Sequence, residues 1–151
     1  MDSNQKFLEY ARAFEEAYRS GDWPILEPFF TEDAVYEVLA EPPFGACHEG
    51  REAILQSFKK SVDNFDRRFD SRQVELVQGP EEKDGATWIS WRATYRAEGV
   101  PDLVLLGEER AWFAGGYIQR LEDRFATGIA AQTITYLRTY EENLKPAPGI
   151  E

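Results

Sequence analysis

The chain has 151 residues, 42% hydrophobic and 30% charged, which is enough apolar material for one core and too little length for two ordinary domains. Its formal charge of −11, from 28 acidic and 17 basic residues, disfavours phosphate backbones and anionic membranes, so neither nucleic acid nor a membrane is expected as a partner. One cysteine excludes an internal disulfide, and no Cys/His cluster has zinc-ligand spacing, so no metal site is expected.

Asp2 or Ser3 can cap a first helix, with Phe7, Tyr10 or Ala11, Phe14 and Ala17 or Tyr18 recurring on one face until Gly21 ends it. Asp22 opens a short second helix that tolerates Pro24 in its first turn. A strand follows over Ala34–Leu39, then Ala40–Glu49 reads as an ordered loop with two prolines and a glycine. From Gly50 to about Phe65 the positions Ala53, Ile54, Phe58 and Val62 fall at helical spacing. The period then changes from helical to alternating. Strands are expected near Arg68–Gln78, Ala86–Ala97, Leu103–Ala114 and Tyr117–Thr127, with PEEKDG and AGG as hairpin turns. An amphipathic helix over about Ala130–Leu144 precedes a tail, KPAPGIE, expected to fray. No repeat, low-complexity linker or boundary interrupts this order, so residues 1–145 are expected as a single domain, with 146–151 as the tail. Helix, helix, strand, helix and four strands make an α+β plan, with helices on one face of a curved, mostly antiparallel sheet. No apolar run approaches a membrane span, and MDSNQKF lacks the features of a signal peptide, from which a cytoplasmic location is expected.

The stretch SGDWPILEPFFTEDAVYE, then PPFG and GREAI, then GGYIQRLEDRF, resembles the SnoaL-like branch of the nuclear transport factor two-like fold from about Phe7 to Thr127. The resemblance implies a cone-shaped barrel: a strongly bent sheet, three N-terminal helices in its concave face, an added C-terminal helix, and a pocket between them. It leaves the chemistry open, since the superfamily includes ketosteroid isomerases, limonene epoxide hydrolases, polyketide cyclases, dehydratases and non-catalytic assembly modules. Matched position by position, the isomerase's oxyanion Tyr is Phe14, its general-base Asp is Val38 and its second oxyanion Asp is Leu106, so ketosteroid isomerisation is not expected. For the epoxide hydrolases, the last-strand Asp matches Asp123, the Arg matches Arg92 and the Tyr matches Tyr36, while Thr94 and Val38 replace an Asp and an Asn. Polyketide cyclases also carry an acid/base Asp at the position of Asp123. Scytalone-type dehydratases need two histidines, and this chain has only His48.

Asp123 also stands out without the family. In Gln119–Phe125, alternation puts Arg120, Glu122 and Arg124 on one face and Leu121, Asp123 and Phe125 on the other, apolar one. A carboxylate there must be paired, wet or shifted toward its neutral form. Arg92 is the expected partner, sharing a strand face with Trp88, Ser90 and Thr94, and that face either lines the pocket or forms the outside of the sheet. The Asp123–Arg92 pair is then either catalytic or a structural lock between strands. Tyr36 is a polar assistant or an ordinary core tyrosine. Cys47-His48 are neighbours in a loop and do not form a nucleophile–base pair, which leaves His48 at the pocket rim. Glu81-Glu82 and Glu108-Glu109 read as solvated surface, and Phe7, Phe14, Trp23, Phe29, Phe30 and Phe58 read as core.

The expected protein is a cofactor-independent enzyme, acting on a small, largely apolar organic molecule by cyclisation, isomerisation, hydration or dehydration. Asp123 is its acid/base and Arg92 keeps it ionised. Tyr36, Thr94, Trp88, Phe14, Val38, Leu106 and His48 line the substrate site. The competing reading is a non-catalytic binding or dimeric assembly module, of which the Rieske-type dioxygenase small subunit is one form. A homodimer through the outer sheet face is expected under either reading.

Overall fold

The Asp2 carboxylate accepts a hydrogen bond from the backbone N–H of Gln5 at 2.8 Å and so caps helix α1, Ser3–Ser20. In the computed structural model, which describes residues 2–147, α1 is followed by a 3-10 segment, Trp23–Phe29, with Pro24 in its opening turn. Strand β1 (Phe30–Leu39), strand β2 (Ala46–Glu49) and helix α2 (Arg51–Asn64) complete the N-terminal half. The second half is β3 (Ser71–Lys83), β4 (Ala86–Arg96), β5 (Leu103–Ala114), β6 (Tyr117–Phe125) and helix α3 (Ile129–Tyr140). The six strands form one curled, unclosed sheet in the order β2-β1-β6-β5-β4-β3, where only β1 and β6 run parallel. The architecture is the expected α+β cone.

Two local expectations are corrected. Ala46–Glu49 is a strand, since His48 lies across from Tyr36 and Cys47 across from Glu37. Its four residues pair with β1 alone and carry no apolar alternation, which is why the stretch reads as loop. The PEEKDG segment is mostly strand: β3 runs through Pro80 to Lys83, and the turn is only Asp84-Gly85, with φ of 51° and 82°. Positive φ at both central residues gives the twist a two-residue hairpin needs. Pro80 is tolerated because β3 is an edge strand.

Side chains on the helix side of the sheet form two apolar clusters. One joins Phe7, Leu26, Phe30, Ile54, Phe58 and Leu121 beneath α1, the 3-10 segment and α2. The other joins Phe69, Tyr95, Leu103, Leu105, Tyr136 and Leu144 beneath α3. Trp91 packs against both. The chain after α3 folds back: Lys145 N–H donates to the Arg68 carbonyl at 3.0 Å, the Arg68 side chain donates to the Lys145 carbonyl at 2.8 Å, and Ala147 is buried. The expected fraying therefore does not begin at 146; residues 148–151 of that tail lie outside the described residues. Among the described residues no helix is long and apolar enough to cross a membrane.

Gly107 lies across from Trp91 on β4 and Phe125 on β6. A Cβ at this position would sit 2.4 Å from the Trp91 indole and 2.6 Å from the Arg124 carbonyl oxygen. The absent side chain is therefore what lets the indole lie across β5. Gly107→Ala should force the ring aside and lower stability by about 1–3 kcal/mol, read as a lower urea midpoint. An unchanged midpoint would show that the ring relaxes without cost.

Candidate functional site

β6 presents Leu121, Asp123 and Phe125 to the helix side of the sheet. The register sets Asp123 directly across from Glu109 of β5 and beside Val38 of β1. Tyr36, two residues before Val38 and on the same face, donates its hydroxyl proton to Asp123 Oδ2 at 2.7 Å. The Asp123 and Glu109 carboxyl groups lie side by side across the β5–β6 ladder, and the Trp91 indole is close enough to favour the charged form of Asp123. Phe58 meets the Tyr36 ring edge to face at 5.1 Å, and Phe125 meets Trp91 at 5.8 Å. The site lies at the seam of the two apolar clusters. Phe14, Tyr36, Trp91, Glu109, Asp123 and Phe125 are only partly buried there, although the core side chains around them are almost fully covered.

Two carboxylates side by side inside an apolar cone cannot both be charged. Burial pushes Glu109 well above the usual carboxylate range, and the adjacent Asp123 charge pushes it further. Burial raises Asp123 too, but hydrogen bonds from Glu109, Tyr36 and Trp91 pull it back. The pair therefore favours one shared proton, held more tightly on the Glu109 side, and the two groups titrate as a unit. Burial, followed by the nearby carboxyl charges, raises Tyr36 and Tyr10 as well, so both phenols stay protonated.

Arg92 is not the partner of Asp123. It donates to Glu75 at 3.1 and 2.5 Å on the outer face, because alternation along β4 sends Ile89, Trp91, Ala93 and Tyr95 toward the helices. Thr94 and Trp88 share that outer face. Thr94 is covered where it lies across from Gln73, and the Trp88 ring sits under Lys83 Nζ at 3.4 Å. Leu106, across from Arg92, is also outside and is 42% exposed. None of these four reaches the seam. His48 does come near it, its ring stacked on Tyr36 with centroids 6.1 Å apart. Phe14 packs against Phe58 and Tyr10 within the cone, and Val38 lies beside Asp123.

Sequence reasoning missed three contributors: Glu109, Trp91 and Tyr10. Glu109 was expected in solvent, yet Leu103, Leu105, Gly107, Glu109 and Ala111 alternate on the buried face. The same alternation that singles out Asp123 would have found it. The cations nearest the cone are held elsewhere. Arg72, whose side chain is 8% exposed, binds Glu15 at 2.9 Å and Asp66 at 3.0 Å and lies over the Tyr18 ring at 4.5 Å. Burial pushes Asp66 up to about 6 despite Arg72. Among the described residues no group of three His, Cys, Asp or Glu side chains is arranged to hold a metal ion.

A group that binds its proton more tightly folded than unfolded loses stability as pH rises through its folded value. Glu109 and Asp66 both have this sign, so the urea midpoint should rise as pH is lowered from about 8 to 5, before the exposed carboxylates titrate. Glu109→Gln should flatten the rise and leave the Asp66 share near pH 6. A midpoint that falls steadily over this range in the unmodified protein would contradict the shared proton.

The SnoaL-like domain family matches residues 11–128. No curated protein matches the chain by sequence. Among solved structures, Bal32a from a soil-derived mobile gene cassette is 21% identical, with 89% of this chain and 99% of that one covered at a TM-score of 0.65. TerC, co-crystallized with polyporic acid, is 15% identical, with 86% and 98% covered at 0.64. A hypothetical protein of Catenulispora acidiphila DSM 44928 with a ketosteroid isomerase-like fold, in complex with trimethylamine, is 17% identical, with 82% and 91% covered at 0.60. At these identities the likeness is one of fold.

Proposed function

The chain belongs to the SnoaL-like domain family, and from that premise we propose that it takes a small organic molecule into its cone and moves a proton on it without a cofactor. The observation that carries the reading is the Asp123–Glu109 pair, one proton between two carboxyl groups, with Tyr36 donating to the ionised member. Asp123 is the base. Glu109 is the acid, its hold on the proton strengthened by burial, and it returns a proton or donates to charge developing on a substrate oxygen. Tyr36 and Trp91 do the work first assigned to Arg92: they orient Asp123 and hold it ionised, through neutral donors instead of a counter-charge. Cyclisation, isomerisation, hydration and dehydration each need one such proton relay in a site shielded from bulk water. Trimethylamine in one fold neighbour and polyporic acid in another support a small organic ligand here.

Asp123→Asn keeps the shape and removes the base. Turnover of the substrate found by thermal-shift screening should fall at least about 100-fold, with the urea midpoint unchanged or raised because a buried charge is gone. Glu109→Gln should lower turnover while leaving the fold intact, and Arg92→Ala should leave turnover as it was. The competing reading, a binding or assembly module with a structural carboxyl pair, draws on the enclosure of that pair by Tyr10, Tyr36 and Trp91. It expects Asp123→Asn to leave donors unpaired and cost about 1–3 kcal/mol, with any activity tracking only the folded fraction.

A homodimer through the outer sheet face belongs to the same proposal. That face carries the exposed Leu106 and a depression of about 410 Å³ lined by Asp33, Val35, Trp112, Gln119 and Arg120. Light scattering at micromolar concentration should return twice the chain mass, and Leu106→Glu should return the single mass. A monomer in the unmodified protein would remove the dimer.

A further inference from the structure

We propose that the ligand of this site is an organic cation, an ammonium ion with a small apolar body, seated with its nitrogen against the Asp123–Glu109 carboxyl pair and its alkyl groups against the rings of Phe14, Tyr36 and Trp91. The proposal rests on the reading of the cone as a ligand site and names the charge of what it takes.

The acidic groups of the site have no cationic partner in the protein. Two carboxyl groups meet here, and no basic side chain among the described residues forms an ion pair with either of them. Each nearby guanidinium is occupied: Arg72 by Glu15 and Asp66, Arg67 by Asp63 and the Tyr18 carbonyl, and Arg51 by the Phe30 carbonyl and Glu32. Arg92 and Arg120 are tied to Glu75 and to Glu37 and Glu122 on the outer face. The Asp123 charge is stabilised by hydrogen bonds alone. A ligand that brings a positive charge gains more from this site than a neutral one of the same shape, and an anion is repelled.

A hydroxyl beside them also lacks a protein partner. Tyr10 on α1 is 3% exposed, yet its hydroxyl forms no hydrogen bond with any described residue. It lies near Glu109 and Asp123, which help burial to raise its pKa. A hydroxyl without a protein partner is available to a group that a ligand brings. Its oxygen can face the positively charged methyl groups of an alkylammonium ion seated against the carboxylate. The partly accessible side chains at the seam are mainly aromatic, and the faces of such rings attract alkylammonium groups. The chain's net charge of −11 raises the local concentration of cations in the same sense.

The test is a binding comparison by calorimetry with three probes of similar size: phenyltrimethylammonium, its neutral isostere tert-butylbenzene, and benzoate. The cation should bind at least about tenfold more tightly than the neutral isostere, and benzoate most weakly. Asp123→Asn, checked for folding by circular dichroism, should abolish the preference; Glu109→Gln should reduce it and serves as the second variant if Asp123→Asn does not fold. Equal or tighter binding of tert-butylbenzene or benzoate overturns the proposal. So does no binding of the cation at millimolar concentration, or a preference that survives both variants. The catalytic reading fails separately. A retained cation preference in a protein that returns every bound amine unchanged removes catalysis alone, whereas turnover of a neutral substrate that depends on Asp123 removes the cation alone.

Discussion

Two carboxyl groups on adjacent strands, close enough to share one proton and too deep for both to be charged, are the constraint on which the rest of this molecule turns. Glu109 and Asp123 are paired by register, so their separation is set by the β5–β6 ladder and not by flexible side-chain choice. Once they are adjacent, the apolar surroundings oblige one to keep its proton, and the donors around Asp123 decide which. Tyr36 comes from β1 and Trp91 from β4, so four neighbouring strands contribute to one proton's position.

The scaffold supports that arrangement by dividing its core. An aromatic cluster beneath α1 and α2 and a second beneath α3 are each closely packed, and the carboxyl pair occupies the seam where neither covers the side chains fully. Edge-to-face contacts among Tyr10, Phe14, Phe58 and Tyr36 brace one side of the seam, and the Trp91–Phe125 contact braces the other. Gly107 gives Trp91 its place across β5. The buried Arg72–Glu15–Asp66 contacts join α1 to the far edge of the sheet.

The outer face follows a different rule. Arg92–Glu75, Arg120 with Glu37 and Glu122, and Arg96–Asp102 are partly or largely exposed ion pairs, where water screens each charge and geometry is loose. The contrast explains why pairing Asp123 with Arg92 is attractive on paper and absent in the protein. The two residues lie on opposite faces of one sheet, and a strand's alternation states which residues share a face without stating which face looks inward. The buried face of β4 is settled by Ile89, Trp91, Ala93 and Tyr95 meeting the helices.

The sequence by itself determined the element order, the α+β class and the family, because hydrophobic period, caps and turn residues act over a few neighbours. It also singled out Asp123, whose anomaly is visible within one strand. Strand β2, the inward placement of Glu109, and the roles of Tyr10 and Trp91 were decided only by tertiary structure. His48 reaches Tyr36 through a strand pairing that no local pattern announces. Glu109 reaches Asp123 through a register set by the two-residue turn at Gly115-Gly116 and by a bulge between Trp112 and Phe113. The proton they share belongs to neither residue alone. It exists because a ladder of backbone hydrogen bonds brings two acids together where water is scarce.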